Sequence, residues 1–474
     1  MNVNFKGILY YLGLFIFPIS VLSFFNILFS SYFKFLLNIE SYTFTLFLSL
    51  VLGIFFYYLG RKSNKKIEFY EQLLLIILIY ISTSFLISIP YYLSNYQITF
   101  VNSLFEAFSG VTGTGFTIFK NIKYIDPTLV LWRSASQWIG GLYFLVFLIL
   151  FFSNSQFNYK LNKLVYSSDK SLNPEINIKK ISLHIFFLYS FFTALIFILF
   201  SFSDIRLLNS LNLALTVISS GGFLPTNSLN QIIRTNIQEF ILILSFILTT
   251  LNIFFFYNLY TSKNIFKKHY EDIMLIILII FLSLIAIFSI NKLNLLDVLL
   301  NILTSINTSG ISINKSPNNF SLFFLFLTII GGSIISNTSG IKFLRIYILL
   351  KASFIEILKL AKPNNIVKKN LLFSDNKIDS ENIKLSFFIF ISFFMSIAVL
   401  SSILLTDSIN FENSFKLSIL TLTNTVNSNL YGIENLNFAN LLTSSKLFII
   451  IFMIIAKIEL ISIVILIKKL FLKN

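Results

Sequence analysis

Four short segments hold most of the chemistry this chain offers: VTGTGF at 111–116, ISSGGF at 218–223, NTSGIS at 307–312 and NTVNSN at 424–429. None contains an acid, a base or a strong nucleophile. What they present instead is small side chains and exposed backbone, that is, carbonyl, hydroxyl and amide oxygens. A ring of such oxygens can replace the hydration shell of a monovalent cation. Placed in register on Gly115, Gly221, Gly310 and Asn427, the segments lie roughly ninety to a hundred and twenty residues apart, long enough for a helix, a re-entrant segment and a second helix. Nine positions before each anchor stand Glu106, Asn212, Asn301 and Ser418, all polar, and ten before stand Phe105, Leu211, Leu300 and Leu417, all apolar. A short amphipathic helix leading into each segment is the expected element. Taken singly, each segment also reads as an ordinary turn, because Gly, Ser and Asn are common turn formers. Four in register, with the same polar offset, read as one element used four times.

The surrounding chain must place these segments in a bilayer. Of 474 residues, 56% are hydrophobic and 12% charged, and 58 are Phe, spread along the whole length. A water-soluble domain could not hide that much apolar surface. About ten stretches are long and apolar enough to cross, near 7–30, 40–60, 71–95, 127–152, 180–203, 236–259, 272–290, 320–352 (interrupted), 383–405 and 443–471. Non-helical backbone at that depth is tolerated only inside protein or along a water-filled path, so the four segments are expected to line one central pore. The expectation is an all-α integral membrane protein of helix, pore-loop, helix units, with two further helices in front. The units run over 1–70 (two N-terminal helices), 71–165, 166–262, 263–375 (with the interrupted helix) and 376–474.

The net charge of +16 would suit nucleic acid, but the basic residues fall between spans. Arg61, Lys62, Lys65 and Lys66 follow the second span; Lys160, Lys163, Lys170, Lys179 and Lys180 follow the fourth; Lys263, Lys267 and Lys268 precede the seventh; Lys359, Lys362, Lys368 and Lys369 follow the eighth; Lys468, Lys469 and Lys473 end the chain. With both termini cytoplasmic these loops share one side, as the positive-inside rule requires, and no nucleic-acid partner is implied. The absence of Cys excludes disulfides and thiolate sites. His184 and His269 stand apart with no ligand pattern around them and read as interfacial. No nucleotide-binding motif is present, so the chain is expected to carry no cofactor of its own.

Several stretches resemble the Trk/Ktr/HKT superfamily of K⁺ transporters. FEAFSGVTGTGFT at 105–117 is similar to the family's first filter, and LWRSASQWIGG at 131–141 to the helix that follows it. VISSGGF at 217–223 is similar to the second filter. SINTSGIS at 305–312 and IGGSIISNTSGIKFLR at 330–345 resemble the third filter and its broken helix, and KLAKPNNIV at 359–367 and AKIE at 456–459 also match. The resemblance implies a pore-forming K⁺ uptake subunit in which backbone oxygens of the two residues before each filter Gly hold K⁺ as the transported ion. Carried over, these are Gly113 and Thr114 before Gly115, Ser219 and Ser220 before Gly221, Thr308 and Ser309 before Gly310, and Thr425 and Val426 before Asn427, where the family has Gly. Asn tolerates left-handed backbone better than other side-chain-bearing residues. Gly113 departs from a first filter that is normally Thr-rich.

The resemblance further implies a gate in the interrupted span, where Gly331, Gly332, Ser339 and Gly340 belong to an intramembrane loop and Lys457 stands where the family has Arg. A polar kink in an inert helix is the alternative for the loop, and snorkelling toward the interface the alternative for Lys457. Glu459 is the second ionisable residue expected well inside the last span. Glu106 either adds negative potential near the pore or bonds the filter backbone; Arg133, Trp138, Lys342 and Arg345 read as packing and loop anchors. By the same resemblance the chain forms a homodimer in the bacterial plasma (inner) membrane and docks a cytoplasmic nucleotide-binding regulatory subunit of the TrkA or KtrA type through loops 154–180 and 353–382. Three functional readings stand: K⁺ uptake, Na⁺ or mixed transport by the same architecture, and a non-conducting scaffold or membrane enzyme. The last lacks the positioned acid, base or nucleophile that catalysis needs.

Overall fold

The computed structural model describes the chain apart from residues 1–3, 65–66, 154–177, 257, 259–267, 290–293, 314–319, 362–369, 374–376, 408, 434–435 and 459–474. Glu459, Lys368 and Lys369, most of loop 154–180 and the end of the last span therefore lie outside the described residues. Among the described residues the chain is helical, with six helices long and apolar enough to cross a membrane. Helices α1 (Phe5–Tyr32) and α2 (Ile39–Gly60) form a hairpin, followed by α3 (Phe69–Tyr92), α4 (Phe100–Thr112) and α5 (Pro127–Ser153). The same long, short, long order recurs in α6 (Ile178–Phe202), α7 (Leu207–Ile218) and α8 (Asn236–Thr250). It recurs again in α9 (Tyr270–Ser289), α10 (Leu295–Ile306) and a broken helix made of α11 (Ser321–Ile330) and α12 (Phe343–Ala361). The last set is α13 (Ser380–Leu404), α14 (Phe411–Leu422) and α15 (Thr443–Lys457).

The packing closes these sets into a ring. Each short helix packs on the closing helix of the set before it: α7 on α5, α10 on α8, α14 on α11, and α4 on α15. All four short helices end at the segments singled out in the sequence, so the negative ends of their dipoles point at one place.

Burial is inverted relative to a soluble protein. Phe24, Phe25, Phe47, Phe187, Phe191 and Phe281 are exposed, whereas Ser20, Ser23, Asn26 and Ser30 of α1 are buried. Bulky apolar side chains at the rim belong against lipid, and small polar ones let helices approach. In the α1–α2 hairpin the approach is set by Gly13 and Gly60. A methyl group at Gly13 would lie 2.5 Å from the Tyr57 nitrogen and 2.7 Å from the Gly53 oxygen, and one at Gly60 would overlap the Tyr10 nitrogen and the Lys6 oxygen.

Backbone atoms cannot move aside as a flexible side chain would. Gly13→Val and Gly60→Val are therefore each expected to destabilise the detergent-solubilised protein by about 1–3 kcal/mol, the usual cost of overpacking. Thermal unfolding of both variants would show it. An unchanged melting temperature would mean that the two helices are not held at this distance.

Candidate functional site

Each short helix ends in one residue of left-handed backbone: Gly113 (φ 81°), Ser220 (φ 54°), Thr308 (φ 61°) and Asn424 (φ 47°). Each of these donates its N–H to the carbonyl three residues back, to Gly110 at 2.9 Å, Val217 at 3.0 Å, Ser305 at 3.0 Å and Thr421 at 3.2 Å. The four are thus equivalent, and they set the register of the strands that follow. Two residues further on stand Gly115, Gly222, Gly310 and Val426.

That register corrects the sequence-based one in the second and fourth strands. Ser219 is the helix cap, its hydroxyl turned back to the Thr216 carbonyl at 2.8 Å. Gly222, and not Gly221, stands opposite Gly115, and the residues before it are Ser220 and Gly221. In the fourth strand Val426 holds the glycine position and Asn427 lies one residue beyond, level with Phe116, Phe223 and Ile311. The left-handed asparagine of this repeat is Asn424. The polar offset fails as well: the residues equivalent to Glu106 are Leu213, Asn301 and Leu417. Register follows the last hydrogen bond of each helix, which composition does not reveal, and Gly221 and Gly222 are adjacent and look alike in sequence.

The strands meet closely. A methyl group on Gly115 would lie 2.7 Å from the Gly222 Cα, and one on Gly310 would lie 2.6 Å from Thr425 Cγ2 and 2.9 Å from the Val426 oxygen. A methyl on Gly222 would overlap Val426 Cβ. Three positions of the ring thus admit no side chain, and the fourth carries a β-branched one that reaches the second strand. Gly115 (φ 79°) and Gly310 (φ 70°) are left-handed. Val426 is not, as expected of a residue whose branched Cβ forbids that region. Above the ring, cavities of about 500 and 440 Å³ are both lined by Gly115, Val426, Asn427 and Ser428.

Behind the first strand, Arg133 and Glu106 form a buried ion pair at 2.8 Å, with 1% and 0% of the side chains exposed. The other Glu106 oxygen accepts the Ile118 N–H at 2.8 Å, and the Arg133 guanidinium lies over the Phe223 ring, 4.1 Å from its centroid. Gln137 accepts the Phe223 N–H at 3.2 Å. Glu106 therefore bonds the backbone of the first strand and is itself neutralised by Arg133, rather than standing as a free charge.

Below the strands, α11 stops at Gly331 (φ 67°) and α12 resumes after Gly340 (φ 81°). The loop between them folds around a buried ammonium: Lys342 Nζ donates to the carbonyls of Ser333 at 3.3 Å, Ser336 at 3.2 Å and Thr338. The Gly332 N–H donates to Thr338 Oγ1 at 3.0 Å, and the Ile334 N–H to Glu271 at 2.8 Å. The loop also touches the inner ends of the strands. Ser339 N–H donates to Thr308 Oγ1 at 3.0 Å, and Asn337 donates to the Ile218 carbonyl at 2.8 Å. Lys457 Nζ donates to the Asn337 carbonyl at 3.2 Å and lies 4.5 Å from the centroid of the Phe144 ring. It sits 3.7 Å from where a Cβ on Gly113 would be, and its residue is buried with 2% exposure.

The sequence-predicted residues thus come together in two layers, the four strands above and Gly331, Gly332, Ser339, Gly340 and Lys457 beneath. Gly222, Asn424, Asn337 and Gln137 belong to the same assembly and were missed. Only Asn424 left a usable sign, since Asn is the residue after Gly that most readily takes left-handed backbone.

The TrkH family, described as a cation transport protein, matches residues 39–272. An uncharacterized cation transporter of Methanocaldococcus jannaschii is 26% identical over 334 residues, 67% of each chain. The Trk system potassium uptake protein TrkG of Escherichia coli is 23% identical over 333 residues, 66% of this chain and 68% of its own. The crystal structure of the potassium transporter TrkH from Vibrio parahaemolyticus superposes with a TM-score of 0.85 at 17% identity, over 98% of both chains. At that identity the likeness to the solved structure is one of fold.

The ion pair behind the first strand gives a test of the site's support. Removing one partner leaves the other charge buried, which costs about 3–5 kcal/mol, whereas removing both is far milder. Arg133→Met is therefore expected to unfold at a clearly lower temperature than Glu106→Gln/Arg133→Met. Equal losses would mean that the pair is not buried as described.

Proposed function

We propose, from the premise that this chain is a relative of the TrkH cation transport proteins, that it conducts K⁺ into the cell through the four converging strands. It is a multi-pass membrane transport protein and not an enzyme. The observation that carries the reading is the ring of left-handed helix ends at Gly113, Ser220, Thr308 and Asn424. Positive φ turns successive carbonyls toward one line, and the helix dipoles behind them favour a cation there. In the corrected register the oxygens nearest the ring come from Gly113 and Thr114, Ser220 and Gly221, Thr308 and Ser309, and Asn424 and Thr425. Inward movement of each unit charge gains about 2.3 kcal/mol per 100 mV of membrane potential. The loop of residues 331–342, held at the inner ends of the strands, acts as the gate, with the Lys457 ammonium as an added barrier to cations. We place the protein in the bacterial inner membrane with both termini cytoplasmic, as a homodimer bound to a cytoplasmic nucleotide-binding subunit.

Transport of Na⁺, or of both ions, is favoured by one observation. Val426 stands where the other three strands have Gly, and its side chain meets Gly222, so the ring is narrower than four glycines would make it. A narrow ring slows a large ion more than a small one.

Flux of radioactive rubidium into proteoliposomes, competed separately by K⁺ and Na⁺, decides between the two. Under the K⁺ reading only K⁺ competes strongly, Val426→Gly raises the flux several-fold, and Asn427→Gly changes it little because Asn427 lies beyond the ring. Equal competition by Na⁺ in the native chain, sharpened toward K⁺ by Val426→Gly, would make the ion Na⁺ or both. No flux above protein-free liposomes would remove the transport reading.

The regulatory partner has its own test. Charge reversal at Lys368 and Lys369 is expected to abolish co-purification with a nucleotide-binding subunit, and unchanged binding would count against docking at that loop.

A further inference from the structure

Asn424 touches more parts of the assembly than any function so far assigned to it requires. It is 2% exposed, with left-handed backbone at the inner end of the fourth strand. In the orientation that leaves neither end of its amide facing a like group, the nitrogen donates to Thr114 Oγ1 at 2.8 Å and to the Met453 carbonyl at 3.2 Å. The oxygen accepts the Ser339 hydroxyl at 3.2 Å and the Lys457 backbone N–H at 3.2 Å. One amide therefore joins the first strand, the fourth strand, the loop and the last turn of α15. Met453 and Lys457 are the two ends of a single i to i−4 rung of that helix, so the amide is seated against the turn that carries the Lys457 side chain.

The partner in the loop is itself held twice. Ser339 gives its hydroxyl to Asn424 and its N–H to Thr308, two residues that occupy equivalent left-handed positions in neighbouring strands. The loop cannot leave the inner ends without breaking both bonds. Buried polar groups so released must find new partners or remain unsatisfied, which makes the arrangement two-state rather than graded.

We propose that Asn424 is a positioning residue that latches the loop to the filter, so that release of the loop and the geometry of the inner filter change together. This deepens the transport reading above and rests on it for the flux consequence, but the latch itself is a statement about structure. Glycine is the decisive substitution, because it keeps the left-handed backbone and removes only the amide.

The chain has no Cys, so Ser336→Cys in the loop supplies a single thiol for a water-soluble methanethiosulfonate reagent, and Ser84→Cys, fully buried in α3, serves as a control. Asn424→Gly and Ser339→Ala are each expected to speed labelling at position 336 roughly fivefold or more, the equivalent of one lost hydrogen bond, with no change at position 84. Combined, they should do little more than the larger single effect. Asn424→Asp, which keeps the acceptor and tolerates the backbone, should restore slow labelling in part. Rubidium flux without a regulatory partner should rise by a similar factor in both single variants. Unchanged labelling at position 336, or equal acceleration at position 84, overturns the latch, the second by showing general loosening. Faster labelling at 336 with no flux in any variant, native included, sustains the latch and overturns the transport reading instead.

Discussion

The constraint behind the whole arrangement is that four stretches of non-helical backbone are buried among helices apolar enough to cross a membrane. Every carbonyl and N–H there must be bonded or must face a wet path, since hydrocarbon offers no partner and each unpaired group costs several kcal/mol. The ring of short helices answers the first need. Ser109 and Thr216 hydroxyls donate to the carbonyls of Phe116 and Phe223 at 2.6 and 3.0 Å, tying each strand back to its own helix. Glu106 and Gln137 supply acceptors for the N–H groups of Ile118 and Phe223. Carbonyls left free in a ring are what a cation site is made of.

The buried charges follow from the same constraint. Arg133 neutralises the carboxylate that the strand needs as an acceptor. Lys342 organises loop carbonyls that no helix can satisfy, standing where a bound cation would stand in a flexible loop. Among the described residues Lys457 rests on the Asn337 carbonyl and the face of Phe144, a weaker setting for a buried ammonium than a carboxylate. Of the three it is the one whose surroundings would gain most from change, and it lies beside Gly113, where the missing side chain leaves it room.

Much of this was legible in the sequence because hydrophobic length and small-residue clusters are local signals. The apolar helices, the fourfold recurrence and the break at Gly331 needed no three-dimensional information. Element ends were less visible: in the stretch at 236–259 the helix stops at Thr250 and the chain bends at Asn252, whose N–H is held by Asp272 at 2.8 Å, before turning helical again at Phe255. The register of strands two and four was not visible at all. It depends on where each helix makes its last hydrogen bond, and Ile218 and Leu422 give no capping signal in their residue types. In strand one, by contrast, Gly113 is both the cap and the left-handed residue, and the register read from sequence there agrees with the geometry.

The four equivalent left-handed positions carry Gly, Ser, Thr and Asn, and the series has a physical order. Gly113 has nothing to extend and leaves space that the Lys457 ammonium approaches. The Ser220 hydroxyl is buried without a partner among the described residues, one oxygen free at the inner end of the second strand. Thr308 reaches the backbone of Ser339, and Asn424 reaches its hydroxyl and α15 beyond. Left-handed backbone is costly for Ser and Thr and less so for Asn, so residues with side chains persist at these positions only if the surrounding structure holds them there. Thr308 and Asn424 are held by the loop. The strain in the third and fourth strands and the seating of the loop against them are therefore parts of one balance, and a change that frees the loop also frees two of the four strands to relax.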